Sequence, residues 1–471
     1  MNFVSFQFLA FLGTVYSLHW MLPHAEARKW LLTVASYLFY AAWNWRFCFL
    51  MLFVTANAFA AGHLISSPPR SGRKLILATS IGIDVAALAF FKYYDFFVSN
   101  VVASLANLGV SANLPVLNII LPVGISFYTF HAISYVVDIY RGKVEPEKSF
   151  VNVALYISFF PQLIAGPIIR ATFIMPQIRR RRPYARSQQV MGIRLLLLGF
   201  IYKAVIADML AAVADPVFAH SDQYDAHALL TATVAFYGQI YFDFAGYSCM
   251  AIGTARLFGY RFPRNFNYPY RSASMTEFWR RWHMSLSFWL RDYLYIPLGG
   301  NRGGRLEVYR NLLITMLLGG LWHGAAWNYV VWGLLHGFGL CVNKAWNGLR
   351  PRLSPAIQRQ SSAGGIVAVI ITQLWVMLAW VFFRCDSVAE ATNVLGSIVG
   401  LHAHPGAAII PLELWVVLII VIDHTLGSGA WRISVSREWA RLLSWSGIGI
   451  VLALGLAAMP LVQKPFIYFQ F

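Results

Sequence analysis

An all-α polytopic membrane protein is the fold class this sequence predicts, on three observations. Hydrophobic residues make up 58% of the 471 and charged residues only 12%, whereas a soluble domain carries about 25% charge. The apolar residues fall in unbroken runs near the roughly 20 residues a membrane-crossing helix needs, without the alternation of a transmembrane barrel. The basic residues, 37 Lys and Arg against 19 Asp and Glu for a net charge of +18, cluster between the runs, as cationic loops kept on the cytoplasmic side do. Disorder, a disulfide scaffold, a coiled coil and a typical cytosolic enzyme are excluded. Nucleic-acid binding sits badly on so apolar a chain.

The candidate spans in order are 3–22, 30–45, 47–65, 75–97, 115–136, 189–212, 228–255, 365–383, 409–427 and 443–461. With a further apolar run at 311–343 they predict about 11 or 12 crossings. No basic residue precedes Arg28 and no small-residue cleavage site follows the first run, which reads as a retained span rather than a signal peptide. Arg28-Lys29, Arg70 with Arg73-Lys74, Arg141 with Lys143, Arg179 to Arg182, and Arg350 with Arg352 fall on alternate connections. Arg46, in a very short turn, is the exception. Residues 204–255 hold five aspartates and no Lys or Arg, with the polar loop Asp215–His227 at their middle. The bias places that loop and both termini outside the cytoplasm. Cys48, Cys249, Cys341 and Cys385 show no metal-ligand spacing and read as buried thiols. With no repeat, low-complexity tail or soluble segment, the chain reads as one membrane-embedded domain, 1–471.

Two stretches are not ordinary spans. Val151 to Arg170 is apolar but interrupted by Pro161 and Pro167, with Lys148 and Arg170 at its flanks. Proline breaks a straight helix, so a re-entrant segment is expected, with its backbone covered by protein. Arg256 to Arg310 contains ten Arg and no Lys, too charged to span. Within it, Ser274-Met275-Thr276-Glu277 has the form of a capping box. Trp279, Trp282, His283, Leu286, Trp289 and Leu290 follow at helical spacing. An interfacial helix is expected there, with Arg280 and Arg281 at the headgroups and the aromatic face buried, ending at Pro297 and Gly299-Gly300.

The run 311–343 carries Gly319-Gly320-Leu321-Trp322-His323-Gly324 and Trp332-Gly333-Leu334-Leu335-His336-Gly337. A single helix of that length would be about 50 Å, too long for a bilayer, so a break is expected at Gly319-Gly320. His323 is then about 20 Å of helix from Arg310, at membrane depth, where an ionisable residue is a functional candidate. A neutral, hydrogen-bonded structural histidine is the other reading. On one continuous helix His336 would lie about 20 Å away and on another face, which favours a structural role for it. Asp84, His131, Asp138, Asp208 and Asp243 read as groups that link helices. Gly299-Gly300-Asn301-Arg302-Gly303-Gly304 reads as a turn rather than an anion site, since it lacks the Lys-Ser/Thr and flanking strand of a nucleotide loop. No metal constellation or nucleophile elbow is present in the sequence.

Phe160 to Pro167, Tyr241 to Tyr247, Phe278 to His283, Tyr293 to Gly304 and Gly319 to Gly324 together resemble the membrane-bound O-acyltransferases, and Phe466 to Phe471 is similar to bacterial members. The resemblance runs over nearly the whole chain and is strongest to the membrane subunits that acetylate alginate and other exopolysaccharides. It implies a ring of tilted helices around a thinned centre, with funnels from both faces meeting near a catalytic histidine. His323 matches that histidine. His283 matches the family's second polar position, where it would hydrogen-bond the donor thioester carbonyl or orient the acceptor.

The implied chemistry is acyl transfer, most simply of acetyl, from a cytoplasmic thioester to hydroxyls of an extracytoplasmic polysaccharide. A neutral imidazole is suited to take the hydroxyl proton, and no Ser or Cys beside the motif requires an acyl-enzyme. The donor, acetyl-CoA or an acyl carrier protein, is a substrate; no bound cofactor or metal is implied. Trp279, Arg280, Arg281 and Trp282 are the candidate donor-binding residues, and Arg179 to Arg182 would help attract an anionic donor. Its passage to His323 would be lined by residues of 256–310 and 151–170. The resemblance further implies a bacterial inner membrane, a periplasmic acyltransferase partner, a polysaccharide synthesis complex and contact with membrane lipids. D-alanyl transfer to a cell-envelope polymer, a transporter or flippase, and a structural member of an export complex are the alternatives. A transporter would show inverted repeats or paired broken helices, and none is visible in the sequence.

Overall fold

Helices account for the regular structure of the computed structural model, which describes residues 3–67, 71–164, 166–349, 362–401 and 406–427, with 449 and 453 besides. Among these residues the sole β feature is an isolated parallel bridge between Tyr224 and Ala407. The chain forms two compact units, Met1–Leu196 with Cys249–Pro263, and Leu197–Ser248 with Arg264–Phe471.

In the first unit α1 (Phe6–Met21), α2 (Ala25–Asn44), α3 (Phe47–Ser66) and α4 (Arg73–Asn107) follow the first four apolar runs. Ser5 starts α1 by accepting from the Phe8 N–H at 3.2 Å. The fourth helix outruns its expected end by ten residues, and the span expected at 115–136 is half extended chain. The Asp95 carboxylate explains this by accepting from Leu117 N and Ile119 N, each at 2.8 Å, which holds that stretch open until α5 (Ile125–Tyr140) begins. Gly124, at φ +76°, makes the corner; a Cβ there would lie 2.4 Å from the Leu163 carbonyl oxygen. All of α5 from Ile125 to Ile139 is buried in protein.

The re-entrant expectation for 151–170 is met in its irregularity. The segment comprises α6 (Phe150–Ser158), a bend at Phe159, the short α7 (Phe160–Leu163) with Pro161 in its first turn, and extended chain before α8 (Ala171–Arg179). Its backbone is covered by protein, as a re-entrant segment would require. Phe160 N donates to Ser36 Oγ (3.0 Å), Ile169 N donates to His131 Nε2 (3.0 Å), and the Tyr156 hydroxyl donates to the Ile169 carbonyl (3.1 Å). The buried Asp84 carboxylate accepts from Asn57 Nδ2 at 2.9 Å. His131 and Asp84 are therefore linking groups.

The long α9 (Arg186–Ala219) and α10 (Ala226–Leu257) run through both units. In the second unit α9 carries a π-turn at Ile201–Ala207. There Lys203 Nζ lies 2.8 Å from Asp208 and 2.6 Å from Asp243 of α10, all three side chains nearly inaccessible. Asp208 and Asp243 thus join two helices through a shared ammonium.

The segment expected to form one interfacial helix instead forms two short ones, α11 (Met275–Arg281) and α12 (Met284–Leu290). It is followed by a π-turn at Arg291–Tyr295 and the turn at Gly299 and Gly300, both at positive φ. Then come α13 (Arg305–His323), α14 (Trp327–Leu349), α15 (Ser362–Arg384), α16 (Val388–Ile398) and α17 (Glu413–Gly427). By length and hydropathy α3, α4, α9 and the Gly364–Arg384 part of α15 suffice to cross a membrane. The expected span 443–461, the basic stretch 350–359 and the C-terminal block Phe466–Phe471 lie outside the described residues, save for 449 and 453. All four cysteines are free; only Cys385 is buried, and Cys48, Cys249 and Cys341 are partly exposed, against expectation.

Candidate active site

The two candidate histidines stand at two backbone breaks of the second unit. The first break corrects the sequence reading. Gly319 and Gly320 do not interrupt α13; the helix runs on to His323, and the chain turns at Gly324 to Ala326. The glycines serve packing instead. A Cβ on Gly320 would lie 2.2 Å from the Tyr329 carbonyl oxygen, and one on Gly333 would lie 2.4 Å from that of Met316. Their absence lets α13 and α14 close into a tight helical hairpin with His323 at its tip. His323 is 5% exposed, walled by Trp322, Trp332 and Phe383 at ring-centroid distances of 4.7, 4.8 and 5.2 Å. Beside it, Asn328 Nδ2 donates to the Cys385 carbonyl at 2.7 Å, tying the tip to the chain after α15.

The hairpin also changes where His336 lies. Its position far along the same helix, expected from a continuous run, does not hold; it lies on α14, the other helix of the hairpin, with Trp332 4.5 Å from His336 and 4.8 Å from His323. His336 is fully buried among Phe278, Trp279, Trp332 and Trp380. This enclosure suits a structural role.

The second break is between α11 and α12. Ser274 Oγ accepts from Glu277 N (3.2 Å) and the Glu277 carboxylate accepts from Ala273 N (3.0 Å), so the predicted cap is present, shifted by one residue on its return arm. The helix stops at Arg281 because His283 adopts φ 39°, ψ 53°, a left-handed conformation costly for a residue with a Cβ. Asn265 holds it there. Its Oδ1 accepts from Ser285 N (3.2 Å) and Ser285 Oγ (2.8 Å) and lies 3.1 Å from His283 Nδ1. The Asn265 carbonyl accepts from Met284 N (2.8 Å), and its Nδ2 donates to Ser248 Oγ (3.0 Å). His283 is wholly buried beside Phe244, 4.6 Å away. Burial pushes its pKa down to about 3, so the imidazole is neutral. Trp322 touches both candidate histidines, at 6.1 Å from His283 and 4.7 Å from His323. The sequence reading missed Asn265; a polar residue between Phe262 and Phe266 was the signal that could have marked it.

A cavity of about 1060 Å³ opens beside these elements, lined by parts of α11 to α14. Arg280, Arg291, Arg305 and Lys344 line it, with no acidic residue among the described residues of its lining, although Arg291 pairs with the adjacent Asp292 at 2.6 Å. Its lining includes the buried Trp279, Leu290, Thr315 and Met316, and Met316 is about 10 Å of helix short of His323. Of the four donor-site candidates the structure brings Trp279 and Arg280 to this cavity. Arg281 turns away, pairing with Glu277 (2.8 Å) and donating to the Asn267 carbonyl (3.1 Å). Trp282 packs in the interior against Phe266, Phe278 and Trp380. The aromatic face of this block is therefore buried by protein, where an interfacial helix would have buried it in lipid. The Gly299–Gly304 motif is a turn that leads into α13, whose first turn is closed by Glu307 accepting from Gly304 N at 3.0 Å. Among the described residues no group of three or more His, Cys, Asp or Glu is placed to hold a metal.

The model of the membrane-bound O-acyltransferase family matches residues 4–387. Over 400 residues the chain is 43% identical to a probable alginate O-acetylase of Azotobacter vinelandii, covering 83% of this chain and 75% of that protein. It is 37% identical over 398 residues to a peptidoglycan O-acetyltransferase of Helicobacter pylori, covering 79% and 73%. A teichoic acid D-alanyltransferase of Streptococcus thermophilus is 34% identical over 237 residues, covering 47% of this chain and 57% of that protein.

Proposed function

Since the chain belongs to the membrane-bound O-acyltransferase family and is a multi-pass membrane O-acyltransferase, we propose that it moves an acetyl group from a cytoplasmic thioester toward hydroxyls of an extracytoplasmic polysaccharide, with His323 as general base. The observation that carries the reading is the place of His323, at the tip of a hairpin whose opposite end borders a cation-lined cavity. A phosphopantetheine arm extends on the order of 20 Å, similar to the roughly 21 Å of helix from Tyr309, which lines the cavity, to His323. An acetyl-CoA or carrier-protein donor would thus keep its phosphates inside the cavity, in the field of Arg280, Arg291, Arg305 and Lys344, while its thioester extends toward the imidazole.

The step balances without a cofactor. His323 takes the proton of the acceptor hydroxyl, the oxygen attacks the thioester carbonyl, the C–S bond breaks, and the leaving thiolate receives the proton from the imidazolium. The acceptor reaches the site from the extracytoplasmic side. The similarity to an alginate O-acetylase and a peptidoglycan O-acetyltransferase supports a cell-surface glycan as the destination, and hence a bacterial inner membrane. A periplasmic acyltransferase partner within a polysaccharide synthesis complex would present the polysaccharide to the site and carry acetylation along the polymer. D-alanyl transfer is the less supported variant, since the D-alanyltransferase likeness spans 47% of the chain.

The test is acetyl transfer from acetyl-CoA by purified protein in lipid nanodiscs. His323→Ala should fold and lose transfer by at least about a hundredfold. Wild-type transfer by the folded variant would refute the assignment of the base.

A further inference from the structure

The reaction leaves open what His283 does, and its hydrogen bonds decide between the two roles its position allows. Ser285 N–H can only donate, so the Asn265 atom that faces it is the amide oxygen. That same oxygen lies 3.1 Å from His283 Nδ1, and an oxygen accepts, so Nδ1 carries the ring proton. In a neutral imidazole the other nitrogen then bears a lone pair, because the bond made by one ring nitrogen sets the state of the other. His283 Nε2 is buried and no protein group bonds it among the described residues. A ring locked in this state accepts a hydrogen bond at Nε2 and has no proton there to give to a thioester carbonyl.

Asn265 is built for the task. It is 1% exposed and binds three successive residues, His283, Met284 and Ser285, through its side-chain oxygen and its own carbonyl. Its amide nitrogen donates to Ser248 Oγ, which prevents the side chain from presenting nitrogen to His283. It also holds the left-handed backbone at His283 that aims the ring.

We propose that Asn265 is a positioning residue of the transfer reaction. It fixes the His283 proton on Nδ1, so that Nε2 receives a hydrogen bond from a hydroxyl of the acceptor. That hydroxyl is not the one that reacts, whose proton goes to His323. His283 therefore orients the acceptor, and its partner chemistry is a polyhydroxylated acceptor such as a sugar. This rests on the proposed function for its consequence, though not for the state of the ring.

Two readouts separate those dependencies. In protein labelled with 15N-histidine, the solid-state NMR signal that disappears in His283→Ala should report an Nδ1-protonated, Nε2-unprotonated ring. In Asn265→Ala that signal should become a mixture of tautomers. With acetyl-CoA as donor and a short alginate oligosaccharide as acceptor, Asn265→Ala and His283→Ala should lose roughly tenfold to a hundredfold in kcat/KM for the acceptor, with donor KM within about twofold of wild type. A folded Asn265→Ala whose His283 stays wholly Nδ1-protonated would overturn the proposal, as would unchanged acceptor kinetics alongside an impaired His283→Ala. If His283→Ala itself transfers normally, the placement of His283 in the reaction fails while the NMR result still stands or falls alone. Should Asn265→Ala not fold, Asn265→Asp keeps an acceptor oxygen toward Nδ1, Ser285 N–H and both serine hydroxyls. It should keep Nδ1 protonated, and a proton moved to Nε2 alone would overturn the proposal.

Discussion

Arg280 and Arg281 are adjacent in sequence, yet their surroundings give them different work. Arg280 lines the cation-rich cavity, while Arg281 holds α11 to its own Glu277 and to the Asn267 carbonyl. Arg280→Glu should raise the donor KM several-fold and leave the remaining activity less sensitive to salt, because one cation of a screened attraction has become an anion. Arg281→Glu should lower the unfolding temperature with donor KM nearly intact, since it faces Glu277 with like charge. Donor titrations at two ionic strengths, paired with thermal melts, check both; unchanged donor affinity in Arg280→Glu would remove the cavity from the donor route. At this scale His323 was legible in the sequence, because a histidine in an apolar run is conspicuous. Asn265 was not, because its importance lies in bonds to residues 18 to 20 positions away.

At the scale of elements, small residues and single ion pairs decide which helices meet. Gly333 lets α14 lie against the backbone of α13, and a Cβ there would press on the Met316 carbonyl. Gly333→Val should cost about 1–3 kcal/mol of stability through overpacking and displace His323, lowering kcat as well. A variant with a wild-type melting temperature would contradict this account of the hairpin. The loop after α5 is pinned in another way. The Glu147 carboxylate accepts from Arg179 Nε at 2.6 Å. Burial alone would raise the Glu147 pKa; the bonds from Arg179 and the Ser149 N–H outweigh it and hold the pKa below its ordinary 4.5. A depressed folded pKa contributes stability that is present above pH 4.5 and lost as pH falls through the folded value. The gap in unfolding temperature between wild type and Glu147→Gln should therefore be widest near neutral pH and close in acid. A gap that widens on acidification would show that the ion pair is not its source.

For the whole molecule the charge bias predicts a map of inside and outside connections, with which the contacts within each unit are compatible. In the first unit, three basic connections meet: Arg28 Nη1 donates to the Arg182 carbonyl, and Arg179 bonds Glu147 and the Glu145 carbonyl. In the second, the acidic loop 215–227 meets the chain around α16, through Asp215 with Arg384 at 3.3 Å and Ser221 with Glu390 at 3.3 Å. With the four native cysteines replaced, a Ser221→Cys variant should react with a membrane-impermeant thiol reagent added from outside the inner membrane. Labelling only from the cytoplasmic side would invert the map.

What the sequence determined alone was the class of molecule, most helices, the irregularity of 151–170 and the position of His323. Hydropathy, proline and charge act locally, so their patterns are visible without partners. The tertiary structure decided where the chain turns. The break falls after His323 because glycines at 319, 320 and 333 are used for helix contact, a purpose indistinguishable in sequence from helix breaking. The aromatic block 278–290 splits at His283 and is buried by protein because Asn265, far enough away to be invisible to any periodicity, supplies the hydrogen bonds that stabilise a left-handed residue there.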